Sequence, residues 1–104
     1  MNNNKYIIEH EATILDMPYD IDETVYLLKD EPSKNNRFLF KCVKCIVYGY
    51  FNFGDGWKIK LRTSRYKHKF DEYDINLHLV GYAIFSNENE LKQRVKELGG
   101  RLIE

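Results

Sequence analysis

Arg37-Phe-Leu-Phe-Lys-Cys-Val-Lys-Cys-Ile-Val-Tyr-Gly-Tyr-Phe-Asn-Phe53, then Gly54-Asp-Gly56, then Trp57-Lys-Ile-Lys-Leu-Arg62, is the run that decides the fold class. It is rich in aromatic and β-branched residues and holds no proline, so it reads as one long strand entering a hairpin. Phe38, Phe40 and Cys42 share one side, whereas Val43, Cys45 and Val47 take the other parity. That change predicts a bulge near Cys42-Val43, which would bend the strand. Asp55-Gly56 supplies the positive φ of a tight turn. Beyond it Trp57, Ile59 and Leu61 alternate with Lys58, Lys60 and Arg62, the pattern of a half-buried strand.

Downstream, Thr63-Ser64-Arg65 reads as a connection, and Tyr66, His68 and Phe70 opposite Lys67 and Lys69 as a second amphipathic strand of the same hairpin. Asp71-Glu-Tyr-Asp74 breaks the pattern, and Leu77 to Phe85 predicts a last apolar strand. Asn87 with Glu90 three positions on fits a capping box. Leu91, Val95 and Leu98 then form one helical stripe that Gly99-Gly100 stops, which predicts a helix over residues 87–98.

Upstream, residues 29–36 contain Pro32 and read as a solvated loop, and Thr24 to Leu28 as a strand. Asp16 to Asp22, with Pro18, reads as a turn. Residues 6–15 alternate as a strand, although Ile7, Ile14 and Leu15 also fit a helical stripe. Together these elements predict a mainly β chain: a small bent antiparallel sheet or small barrel of five to six strands with one C-terminal amphipathic helix, α+β by content. The expected core joins Trp57, Ile59 and Leu61 to Phe70, Phe85, Leu91 and Val95.

With 104 residues, 43% of them hydrophobic, the chain suits a single domain over 1–104 that buries a core without disulfides or metals. Residues 1–5 are polar and expected to be flexible. They lead into no apolar stretch of signal-peptide length, and the longest uncharged run, Cys45 to Gly54, is too short to span a bilayer. The expectation is a cytoplasmic protein with reduced thiols and no membrane contact.

The formal charge is zero but segregated. Residues 1–36 carry eight acids and three bases, residues 37–69 one and nine, and residues 70–104 seven and four. The zero sum argues against a general polyanion binder, yet a local basic surface remains open, since fields act over about 8–10 Å.

Few residue groups point to chemistry. Cys42-Val-Lys-Cys45 has the spacing of half a zinc site, but on a strand the two thiols face opposite sides about 10 Å apart. His10, His68 and His78 are scattered, the serines sit in no nucleophile elbow, and no phosphate-cradling glycine motif occurs. The acids at residues 16–23 and 71–74 lack the central glycine of a calcium loop. The expectation is therefore no catalytic residue, no metal and no cofactor.

The stretch WKIKLRTSRYKHK over 57–69 stands apart. Lys58, Lys60, Arg62, Arg65, Lys67 and Lys69 have no acid among them, and a hairpin would gather them on one outward face able to meet phosphates. The plainer reading is a solvated strand face, with lysines discouraging edge aggregation and the acids at Asp20, Asp22 and Glu23 covering it.

Thr24-Val-Tyr26, Lys41-Cys-Val-Lys-Cys-Ile46, Tyr66-Lys-His-Lys-Phe70-Asp71, Asp74-Ile75 and Val80-Gly-Tyr-Ala-Ile-Phe-Ser86 with Glu90-Leu91 carry a resemblance. Over about residues 20 to 100 the chain resembles small uncharacterised proteins of phages and mobile elements in low-GC Gram-positive bacteria. The resemblance implies an SH3-like barrel with a C-terminal helix and brings no catalytic residues. Three functions follow as expectations. The first is a non-enzymatic accessory protein that binds a host protein and could inhibit a defence nuclease. The second is a nucleic-acid-binding module using residues 57–69, and the third an enzyme of unidentified type.

Overall fold

The computed structural model describes residues 5–8, 13–31, 39–52, 54–64 and 69–103, with side chains from residue 17 onward. The chain is mainly β. Strands β1 (Lys5–Ile8) and β2 (Thr13–Asp16) form a separate antiparallel pair, with Ile7 opposite Ile14. The expected single strand over 6–15 is thus two short arms. The alternation is the same for either arrangement, and the polar Glu9-His10-Glu11 separates the apolar pairs Ile7-Ile8 and Ile14-Leu15. Residues 9–12 lie outside the described residues, as do residues 1–4, and Lys5 opens β1.

The main sheet has six strands. Five run antiparallel in the order β6 (Glu72–Asn76), β5 (Trp57–Arg62), β4 (Leu39–Asn52), β3 (Thr24–Asp30) and β7 (Ile84–Phe85), and β8 (Arg101–Leu102) lies parallel to the start of β4. It is a bent sheet that does not close into a barrel. The fourteen-residue β4 joins its two ends, pairing with β3 over Phe40 to Ile46 and with β5 over Ile46 to Asn52.

Both sides of the first half of that long strand are covered, which explains its mixed parity. On the inner side Val25, Leu27, Cys45, Val47, Ile59, Leu61 and Ile84 form one buried cluster with Tyr19. On the outer side Phe40, Phe85, Leu91 and Val95 form a second, with Tyr26, Leu28 and Cys42 packed against it. The register from Thr24↔Ile46 to Asp30↔Phe40 is continuous, so no bulge lies at Cys42-Val43. The register shift falls instead between Val47 and Gly49.

The expected core is therefore divided. Ile59 and Leu61 belong to the inner layer, whereas Phe85, Leu91 and Val95 belong to the layer beneath the helix. Trp57 and Phe70 are only half-buried. A single sequence face says which residues are covered, but not by what.

The hairpin turn carries its positive φ on Gly54 (103°) and Gly56 (115°). Gly54 N–H also donates to Asn52 Oδ1 at 2.7 Å. The partner of β5 differs from expectation. The pairing strand is the acidic Glu72–Asn76, whose start lies in the stretch 71–74 read from sequence as a break, and residues 66–68 of the expected strand 66–70 lie outside the described residues. Thr63 and Asp71 close the connection, since Thr63 N–H donates to Asp71 O at 3.0 Å and Asp71 N–H to Thr63 Oγ1 at 2.9 Å.

The expected strand over Leu77 to Phe85 is a 3-10 turn (Leu77–Leu79), a turn at Gly81 and the two-residue β7. Gly81 sits at φ 86°, a left-handed conformation that interrupts any strand. The segment leads from the β6 edge to the β3 edge, with Leu77 and Val80 against the inner cluster.

Helix α1 (Glu88–Glu97) follows the sequence expectation closely. Asn87 caps it, its side chain accepting from Glu90 N–H at 2.9 Å. At the other end Gly99 (φ 72°) and Gly100 donate to Lys96 O and Val95 O, the paired bonds of a Schellman stop. Among the described residues, no helix is long and apolar enough to cross a membrane.

Candidate functional site

Helix α1 covers only one end of the sheet's outer side. Among the described residues, no helix covers the other end, over the second half of β4 with β5 and β6, which carries the residues singled out in sequence. Because Ile59 and Leu61 point inward, Lys58, Lys60 and Arg62 must point outward. The shift in β4 serves the same face. Val47 and Tyr50 both pack inward although three residues apart, which needs one extra residue between them, and Tyr48 is turned out, 48% exposed. Inside, Tyr50 Oη donates to Tyr19 O at 2.8 Å and accepts from Tyr19 N–H at 3.1 Å, holding the shifted strand in place.

Arg62 is the centre of the open face. Its guanidinium carbon lies 3.4 Å from the centroid of Tyr48 and 4.3 Å from that of Phe70, so it is stacked against two rings. Its Nε donates to Glu72 Oε2 at 2.7 Å. Lys60 Nζ donates to the other Glu72 oxygen at 3.3 Å and stands 5.3 Å over Phe51. Lys58 Nζ is 4.0 Å from Asp55.

One carboxylate thus answers two cations. The Arg62 hydrogen bond, helped by Lys60, holds the Glu72 carboxyl below its ordinary pKa despite partial desolvation. The β5–β6 register produces this, placing Glu72 opposite Arg62 and Asp74 opposite Lys60. A basic strand lies beside an acidic one, and the face is mixed and aromatic rather than a cationic plane. Among the described residues, Asp55 in the hairpin turn stands beside Lys58, and Glu72 of β6 stands beside Lys60 and Arg62.

Of the six cations expected to act together, Lys58, Lys60 and Arg62 share this face. Lys69 is exposed next to Phe70, and Arg65 and Lys67 lie outside the described residues. Sequence reasoning missed Glu72 as the partner and placed Phe70 in the core. The signal was present: Glu72-Tyr-Asp-Ile-Asn76 alternates polar and apolar as a strand does, with Tyr73 and Ile75 against the inner cluster.

The cysteines lie on opposite sides of β4, Cys42 beneath the helix and Cys45 in the inner cluster. Burial pushes the Cys45 thiol up to about 12 and raises that of Cys42, so neither is tuned to be a nucleophile at neutral pH. His78 is exposed at the 3-10 turn. Among the described residues, no three His, Cys, Asp or Glu side chains gather as a metal site.

No family model, no curated protein and no solved structure matches this chain.

Proposed function

We propose that this chain is a non-enzymatic binding module that engages a protein partner through the open end of its sheet. The observation that carries the reading is the Tyr48–Arg62–Phe70 stack tied to Glu72. Tyrosine and arginine held in place by their neighbours are the side chains that dominate protein interfaces, because they offer a large contact area with little freedom left to lose. The resemblance to phage and mobile-element proteins adds the setting: the partner is a host protein, and a defence nuclease inhibited by occupation is the specific form of that reading.

A nucleic-acid module stands second. Tyr48, Phe51 and Phe70 interleaved with Lys58, Lys60 and Arg62 also resemble a platform for stacked bases. It ranks lower because Glu72 stands among those cations, where it repels phosphate and already holds two of them.

Affinity capture from nuclease-treated host lysate tests the order. The expected result is one protein retained in stoichiometric amount by the wild type and lost with Tyr48→Asp. Retention indifferent to Tyr48→Asp, or capture that disappears on nuclease treatment, would overturn it.

A further inference from the structure

A second site lies on the other side of the molecule's charge pattern. Between α1 and β8 is a shallow hollow of about 380 Å³ whose charged lining residues are Lys92, Lys96 and Arg101. Among the described residues, no carboxylate lines it and none of the three cations makes an ion pair. Arg62 and Lys60 have Glu72, and Arg94 has Glu97 at 3.8 Å, whereas Lys41 and Lys44, exposed on β4, likewise have no ion pair among the described residues; what sets the hollow apart is that three cations surround one apolar floor. Cations in a last helical turn also offset the helix dipole. Arg101, however, lies beyond the Gly99-Gly100 stop, where the parallel pairing of β8 with Leu39 and Phe40 brings it beside the helix.

The floor of the hollow is apolar. Val95 is buried in the outer cluster and Leu102 packs against it. Lys92 and Lys96 are one helical turn apart and flank that floor with exposed ammonium groups. We infer that this hollow is a docking site for an acidic segment of a protein partner, with carboxylates over Lys92, Lys96 and Arg101 and one apolar side chain seated on Val95 and Leu102. No aromatic side chain lines the hollow to stack a base, so the apolar floor and the cations together fit a peptide better than a nucleic acid. This site is separate from the open sheet face and does not depend on the reading given to it.

An amide chemical-shift titration of the intact chain tests it with three probes: a peptide of alternating Glu and Phe, its Gln-for-Glu analogue, and a thymidine oligonucleotide. The expected result is a salt-sensitive shift at Lys92, Lys96, Arg101 and Leu102 with the acidic peptide, weakened by about tenfold or more in Lys92→Glu/Lys96→Glu. The paired Lys92→Gln/Lys96→Gln variant, which introduces no new charge, should weaken it by less. No shift at these residues, equal shifts with the Gln analogue, or tighter binding of the oligonucleotide at the same residues would each overturn the inference. Shifts confined to Tyr48 and Arg62 would overturn it as well while leaving the sheet face standing.

Discussion

On β5, Lys58, Lys60 and Arg62 stand beside aromatic rings and carboxylates. On α1 and β8, Lys92, Lys96 and Arg101 surround a hollow with no carboxylate among its described lining residues. Read along the chain, the contrast runs the other way. Residues 37–69 hold nine of the bases and one acid, whereas residues 70–104 are net acidic. The reversal arises because strand register moves charge between segments: β6 comes from the acidic third and is laid against the basic strand. In that acidic third, helical spacing sets Lys92 and Lys96 one turn apart, and β8 pairing brings Arg101 beside them. Surface charge is a property of the pairing, and linear charge only limits it.

The largest expected effect concerns the seat of the helix, without which the second half of the comparison has no geometry. Leu91 is fully buried beneath α1, and Leu91→Ala should cost roughly 2–5 kcal/mol in urea denaturation. A loss under about 0.5 kcal/mol would mean that α1 is not held against the sheet. Removing Arg62 acts on the first half. Arg62→Ala should cost about 1–2 kcal/mol through its two ring contacts, and Arg62→Lys should fail to restore most of it, because an ammonium cannot stack flat between two rings. Full recovery with lysine would reduce Arg62 to a point charge.

Smaller still is the acid response of the Glu72 cluster. A carboxyl whose folded pKa is lowered adds stability that is present above its ordinary value and lost as pH falls through the lowered one. Melting curves from about pH 7 to about pH 3 should therefore show the gap between wild type and Glu72→Gln closing toward acid. A gap constant across that range would mean that Glu72 is not held by Arg62 and Lys60. The smallest effect is expected at the other site, where Lys92→Gln should change stability by less than about 0.5 kcal/mol, since an exposed cation with no ion pair among the described residues holds little of the fold. A larger loss would assign Lys92 to the helix rather than to a ligand.

Much of the fold was legible from local pattern. The capped helix, the Gly54-Asp-Gly56 hairpin, the long strand and the opposed cysteines all follow from residues a few positions apart, whose geometry is set by backbone periodicity. What was hidden was non-local. Nothing in Phe40 or Cys42 says that a helix covers their side of β4 while Val43 and Cys45 meet the inner cluster, so two covered faces looked like one bulged strand. Alternation identifies Glu72–Asn76 as a strand, but its two leading acids resemble a turn until Tyr73 and Ile75 are seen to need a core. The β8 strand was invisible because two residues carry no period. The candidate face was half legible: its cations were found, and their acidic partner, supplied by strand pairing, was not.

The central claim is that the open end of the sheet meets a protein. Site-specific photo-crosslinking tests it most directly, with a benzophenone side chain replacing Tyr48 in the full chain added to the lysate used for affinity capture. The account predicts one adduct of defined mass that proteases destroy and nucleases leave intact, and that Arg62→Ala diminishes. An adduct removed by nuclease, or no adduct from position 48, would contradict it.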